Sequence, residues 1–315
     1  MKYVLKRIFQ AVLVLLLVSI IVFVAVRLAP GDPVLVKLGP YGEKTPEMYA
    51  EVERQLGLDK SYPVQYLVWI KNAVHGDLGV SMRSGVPVLT TILEKAPISL
   101  ELIILSVLVA LLISIPLGVT AAVRRNTLLD KIISAFSMAF LAIPAFWFGL
   151  VVLLVFSVWL GILPASGYVP VSEGIGQNLI HAILPVFALS AFEMANFTRF
   201  IRSDMVEVLN SNYVRTAKAK GLPKWKVHLK HGFKNTTITL ITVVGLELGT
   251  LLGGTVICEQ IFGWSGVGWL IFQAISNRDY PMVQGAVLVI AVFMVAINLI
   301  IDVLYSLLDP RIRLE

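Results

Sequence analysis

Four histidines, His75, His181, His228 and His231, are the first side chains to weigh for chemistry, and none stands in an H-E-x-x-H pattern. His228 and His231 are three apart, close enough to share one helix face, but Lys224, Lys226, Lys230 and Lys234 surround them and repel a cation. No metal site is expected. The single cysteine, Cys258, rules out an internal disulfide or a cysteine-clustered metal centre, and in its apolar run it reads as a small packing residue. Gly249 to Thr255 has the glycine spacing of a phosphate-binding loop but lacks the lysine that reaches the phosphates. The P-loop route to ATP hydrolysis is closed to this chain, and no catalytic residue is assigned.

Carboxylates within apolar segments are the remaining candidates. Each charge at a bilayer centre costs about 2.5–3.5 kcal/mol on insertion scales and usually faces a cavity or a partner. Glu247 is the one acid near the middle of such a segment. It reads either as the wall of a polar path, where it would meet an ammonium or a cation, or as a buried hydrogen bond to a neighbouring helix or subunit. Gly249, Glu193 and Asn298 are carried beside it as candidates for the same path or subunit contact. Glu193, Asn196, Asn298 and Asp302 lie nearer segment ends, where packing or snorkelling also accounts for them. Glu101 and Glu259 are expected at the outer surface.

The elements that must hold these residues follow from composition. Of 315 residues 57% are apolar and 15% charged, with a mean hydropathy of +0.83, a balance that indicates a polytopic membrane protein. Apolar runs predict spans over 8–26, 98–123, 132–162, 177–197, 238–261 and 282–304. The first run is too long for a signal-peptide core, and its flank is a poor cleavage site, so an uncleaved span is expected. The third run, 132–172, has room for one kinked span or two. Counting one puts 17 of the 26 lysines and arginines inside, whereas two would place nine basic residues of the central loop outside. One span is the better reading, with both termini cytoplasmic. The expected layout is 1–29 for the N-terminus and first span, 30–97 for an extracytoplasmic cap and 98–315 for a five-span core. Within the cap, Thr45-Pro46-Glu47 starts a helix that Leu56-Gly57 ends, and residues 64–74 form a second helix. Gly245, Gly249 and Gly253, four apart, allow close helix approach.

One polar stretch, 212–235, separates the fourth and fifth spans. Tyr213-Val-Arg-Thr-Ala-Lys-Ala-Lys-Gly221 reads as a short helix closed by a left-handed glycine, with Pro223 preventing its continuation and a second basic helix, 224–234, leaving in a new direction. This stretch resembles the cytoplasmic EAA loop of the membrane subunit of ATP-binding-cassette importers, and specifically the dipeptide, oligopeptide and nickel permease branch, whose loop reads close to Y-x-R-T-A-x-A-K-G. Arg215 stands where the general motif has glutamate, and Thr239 lies near the expected proline. LAPGDP, QLGLD, HGDLGVS, GLELGTLLGG, EQIFGWSGVG, RDYPMVQG and NLIIDVLYSLLDPRIR are phrases of the same branch, so the resemblance covers essentially the whole chain.

What the resemblance implies is an all-α polytopic protein of six transmembrane helices with the type I importer permease fold. It also implies a central loop, 199–237, whose short helix docks in a cleft of an ATPase subunit. Tyr213, Arg215, Thr216, Ala217, Lys218, Ala219, Lys220, Gly221 and Trp225 are its coupling residues. The small side chains of Ala217 and Ala219 and the glycine suit close docking, which anionic-lipid attraction of the lysines does not explain. The implied partners are a homologous permease, two ATPases that carry ATP and magnesium, an extracytoplasmic binding protein and membrane lipid, with no nucleic acid. The expected location is a bacterial inner membrane. Di- or oligopeptides are the expected substrate, nickel or a metal chelate the alternative. A self-sufficient secondary carrier or channel is a reading of another class; it would call for an inverted repeat, and none is evident. An intramembrane enzyme or a DNA-binding protein fits less well.

Overall fold

The computed structural model describes residues 2–39 and 45–308, with side chains for 7–39 and 45–301. The reading placed on Asp302 lies outside the described side chains. Helices account for nearly all regular structure, and among the described residues the only β pairing is an isolated bridge between Val80 and Pro87. Five helices are long and apolar enough to cross a membrane, and a sixth crossing results when a bent pair counts as one span. The chain divides into two compact units, residues 1–99 with 265–299, and residues 100–264 with 300 onward.

In the first unit, α1 (Lys2–Leu28) is the first long helix. Asp32 caps α2 (Pro33–Leu38) by accepting from Val34 N at 2.8 Å, while its other oxygen accepts from the Tyr49 hydroxyl of α3 (Pro46–Gln55) at 2.9 Å. That bond pushes the Tyr49 hydroxyl up from its usual range. Thr45 caps α3 as expected, and Gly57, with φ of 65°, follows its end. Next, α4 (Tyr62–Val74) is held against α1 through its buried Gln65, which accepts from Arg27 Nε at 2.8 Å and donates to the Lys60 carbonyl. Phe23, Tyr66 and Trp69 pack edge and tilt beside it.

Segment 30–97 shares its core with α12 (Val267–Ser276) and the start of α13 (Tyr280–Leu308). Leu78, Val88 and Ile92 meet Val267, Ile271, Met282 and Ala286. Asp279, 5% exposed, accepts from Ser81 Oγ and Met82 N and so fixes the turn after α4 to the one before α13. A Cβ on Gly285 would lie 2.5 Å from Val88, so glycine is what permits that approach. The segment between the spans expected at 238–261 and 282–304 contains α12.

In the second unit, α5 (Val88–Val123) is one continuous helix through Pro116 and packs on α8 (Ile175–Leu209), where a Cβ on Gly118 would meet Ile201 at 2.7 Å. Between them, α6 (Leu128–Ala142) and α7 (Ala145–Leu153, continuing as a π turn to Trp159) meet at 98°. Pro144 offers no N–H and holds Ile143 extended, at φ −85° and ψ 128°, so the helix stops there. The third span is therefore broken rather than gently kinked. After α8 come α9 (Asn212–Ala219), α10 (Lys224–Lys226), a π turn (Val227–Phe233) and α11 (Lys234–Phe262). Residues 224–262 run as one helix, which corrects the expectation of a separate second basic helix. The fourth helix also outruns its expected end, reaching Leu209, so the non-helical part of the 199–237 loop starts at 210.

At one end of this unit Glu101 accepts from Tyr168 OH at 2.8 Å and Asn178 Nδ2 at 2.6 Å, tying the 164–174 segment down. Burial and that bond push the Tyr168 hydroxyl up to about 12. Cys258 is buried and contacts the Pro185 carbonyl, a packing role. Glu259, expected at the surface, is fully buried.

Candidate functional site

The projecting loop is built by its ends. Helix α9 closes with Lys220 as its C-cap; Gly221 N donates to Lys218 O at 3.0 Å and Leu222 N to Ala217 O at 3.3 Å. These two bonds, with Gly221 at φ 75°, form a Schellman motif, as the glycine and the following proline predict. Pro223 then opens α10, and the π turn packs on α8: a Cβ on Gly232 would sit 3.1 Å from Met205 and 3.2 Å from Leu209. The short helix is thus carried between two long helices that brace each other.

Its faces are unequal. Val214 (0% exposed) and Ala217 (6%) turn inward. Tyr213, Arg215, Thr216, Lys218, Ala219, Lys220 and Gly221 face outward, and Trp225 is exposed with Lys226 Nζ 5.5 Å from its ring centre. Of the three small residues read as a docking surface, only Ala219 and Gly221 lie on the open side; Ala217 is small because it packs within the chain. His228 and His231 lie on the π turn among the lysines.

The core carboxylates form a second cluster. Glu247 on α11 accepts from Asn196 Nδ2 on α8 at 2.6 Å and from Thr250 Oγ at 2.8 Å. Both oxygens are therefore met by donors of this chain. Glu193, one turn from Asn196, is 3% exposed, and its Oε2 has no hydrogen-bond partner. It lines a cavity of about 420 Å³ with Thr250, Phe192, Gly254 and the Ile143-Pro144 break. Sequence reasoning singled out Glu247 for its depth. The arrangement instead leaves Glu193 as the carboxylate with a buried, unpartnered oxygen in the wall of a cavity, a distinction hydropathy does not carry. Gly249 is buried nearby, while Asn298 belongs to the other unit, where it is exposed on α13. Of the glycine series, Gly245 makes the close contact: a Cβ there would lie 2.5 Å from Ile301 on α13.

This geometry, long apolar helices with a short amphipathic helix projecting between two of them, is that of a multi-pass transport subunit. The family model for the inner membrane component of binding-protein-dependent transport systems matches residues 114–314, and the model for the N-terminal part of such components matches 1–103. The chain belongs to this family. It is 40% identical over 315 residues to the oligopeptide transport system permease protein AppB of Bacillus subtilis (strain 168), covering 99% of both chains. It is 35% identical to the dipeptide transport system permease protein DppB of Escherichia coli (strain K12), again over 99% of each. Among solved structures, a chain of the inward-facing MetNI methionine ABC transporter superposes with a TM-score of 0.56 at 16% identity, covering 70% of this chain and 97% of that one. The fold is that of a type I importer permease.

Proposed function

We propose that this permease imports di- or oligopeptides and takes its energy from ATPase subunits that grip the 210–226 loop. The observation that carries the coupling is the exposed face of α9, closed by its Schellman motif and followed by a π turn that packs on Met205 and Leu209 of α8. An element that transmits a partner's movement must be stiff against its own chain and open toward the partner. Peptides come ahead of nickel because the relatives named for a substrate are oligopeptide and dipeptide permeases. In this reading the loop and both termini are cytoplasmic, residues 30–97 lie outside, and a homologous permease completes the path. The extracytoplasmic binding protein delivers substrate, while ATP and magnesium reside on the ATPases. Inside the core, the unpartnered oxygen of Glu193 and the cavity that the residue lines suit a peptide ammonium, with Glu247 keeping α8 and α11 in register.

The experiment is co-purification from the native membrane followed by reconstituted uptake of labelled dipeptide. ATP-dependent uptake that unlabelled peptide suppresses, and nickel does not, supports the reading. Uptake by the isolated chain without ATPases overturns it.

A further inference from the structure

A groove in the first unit is not used by the transport reading. It measures about 400 Å³ and runs between the last turns of α1 and the first turns of α13, lined by Ile21, Ala25, Val26, Val283 and Val287. Its polar end is formed by Arg278 and Tyr280. The Tyr280 hydroxyl is buried and has no hydrogen-bond partner, and Arg278 forms no ion pair among the described residues. The two side chains converge over Gly31: a Cβ there would lie 2.6 Å from the Tyr280 hydroxyl and 3.2 Å from the Arg278 guanidinium. Gly31, at φ 139°, thus leaves the space in which both donors sit.

The position in the spans says what such a groove meets. One wall is the end of the span 7–28 and the other is the start of the span 280–301, so the groove's polar end lies at a membrane–water boundary and its apolar length runs into the hydrocarbon. A cation and an unpaired hydroxyl at that depth complement a phosphodiester, and the aliphatic wall below complements an acyl chain.

We infer that this groove binds a phospholipid, with its phosphate held by Arg278 and Tyr280 and one acyl chain lying between α1 and α13. The ligand is drawn from the bilayer, and the site stands whatever the transported substrate proves to be. A bound chain would fill space between two helices that are otherwise joined through the cap, so the lipid stabilises the first unit.

The test is native mass spectrometry of the full-length protein, purified with the subunits that accompany it, together with thermal unfolding in the presence of palmitoyl-oleoyl phosphatidylglycerol. Tyr280→Phe removes only the hydroxyl, Arg278→Gln only the charge, and Val287→Trp fills the apolar length while leaving both donors. Wild type is expected to retain phospholipid and to unfold at higher temperature when the lipid is added. Apparent affinity should fall about tenfold in Tyr280→Phe and Arg278→Gln, and Val287→Trp should lose retention while remaining monodisperse. Equal retention by all three variants overturns the site. So does equal stabilisation by inorganic phosphate alone, which would mean an anion site without a chain, or by a phosphate-free alkyl maltoside, which would mean an apolar groove indifferent to the headgroup.

Discussion

Gly221 shows how much of one residue can be read before any fold is known. Its place after a basic turn and before proline predicts a left-handed helix end, and the backbone adopts φ 75° there. Nothing lies within 4 Å of where its Cβ would be, so a substitution meets no wall and its cost is that of the backbone alone. Gly221→Ala is expected to cost about 1 kcal/mol and to loosen the loop. Asn, which tolerates this conformation, should cost less. Quantitative co-purification of ATPase should therefore rank glycine above asparagine above alanine; an alanine variant that holds the ATPase as wild type does would separate the motif from docking. The carboxylates were less legible. Hydropathy finds Glu247, but only three-dimensional placement shows that Asn196 and Thr250 satisfy it while one oxygen of Glu193 is buried without a partner. Glu247→Gln keeps a carbonyl for Asn196 and should unfold close to wild type, whereas Glu247→Ala strands the Asn196 amide, Thr250 keeping its bond to the residue 247 carbonyl, and should lose about 1–3 kcal/mol, read as a shift in thermal midpoint. Glu193→Gln should leave folding and ATPase binding intact and reduce dipeptide uptake. Normal uptake in that variant would remove Glu193 from the path.

At the level of elements, apolar runs located every span but not the helix ends. The fourth was expected to stop at Phe197, just before Arg199 and Arg202, yet Phe197, Ile201 and Met205 are all fully buried at a spacing of four, so an amphipathic face carries α8 on to Leu209. A hydropathy window stops at the first charges; the helical period does not. The same holds after Pro223, where Val227, Gly232, Thr236 and Leu240 are buried and the basic segment continues into α11. Helix α12, only ten residues long, is too short for that window to register. Arg202 is part of this extension. It donates from Nε and Nη2 to Asp130, at 2.5 and 2.9 Å, and Asp130 also accepts from Asn126 N and Ser134 Oγ. With Asp130 only 2% exposed, the pair ties the start of α6 to α8. Arg202→Leu would leave a buried carboxylate uncompensated, at a cost of about 3 kcal/mol. Adding Asp130→Asn should restore part of the loss, because the stranded charge is then gone. A thermal-unfolding cycle in which the double variant is no better than Arg202→Leu would show the pair to be energetically idle.

For the whole molecule, the question is where the work of transport is done. The sequence lacks a phosphate-binding lysine after Gly249 and Gly254, and the family is that of the membrane component of a binding-protein-dependent system. Sequence phrases identified that family because they lie along the entire chain, but the division into residues 1–99 with 265–299 and 100–264 with 300 onward was not legible. It arises because α5 and α13 each carry one unit's packing at one end and the other's at the opposite end, and a linear reading sees each only as a single span. In the proposed function the energy comes from the ATPase subunits. Reconstituted alone with a peptide gradient, the chain should show no uptake above protein-free vesicles, because a path that opened without ATPase closure would be a leak. With its ATPases, its companion permease and the binding protein present, uptake should require ATP. Under those conditions Ala217→Arg should fail differently from Ala219→Arg. Ala217 is buried beneath α9, so its variant should lower the thermal midpoint as well as transport. Ala219 is exposed on the face proposed to dock, so its variant should keep the midpoint and lose ATPase binding. If both variants lose stability alike, the face assigned to the ATPase is wrong; if neither loses uptake, the loop is not the coupling element.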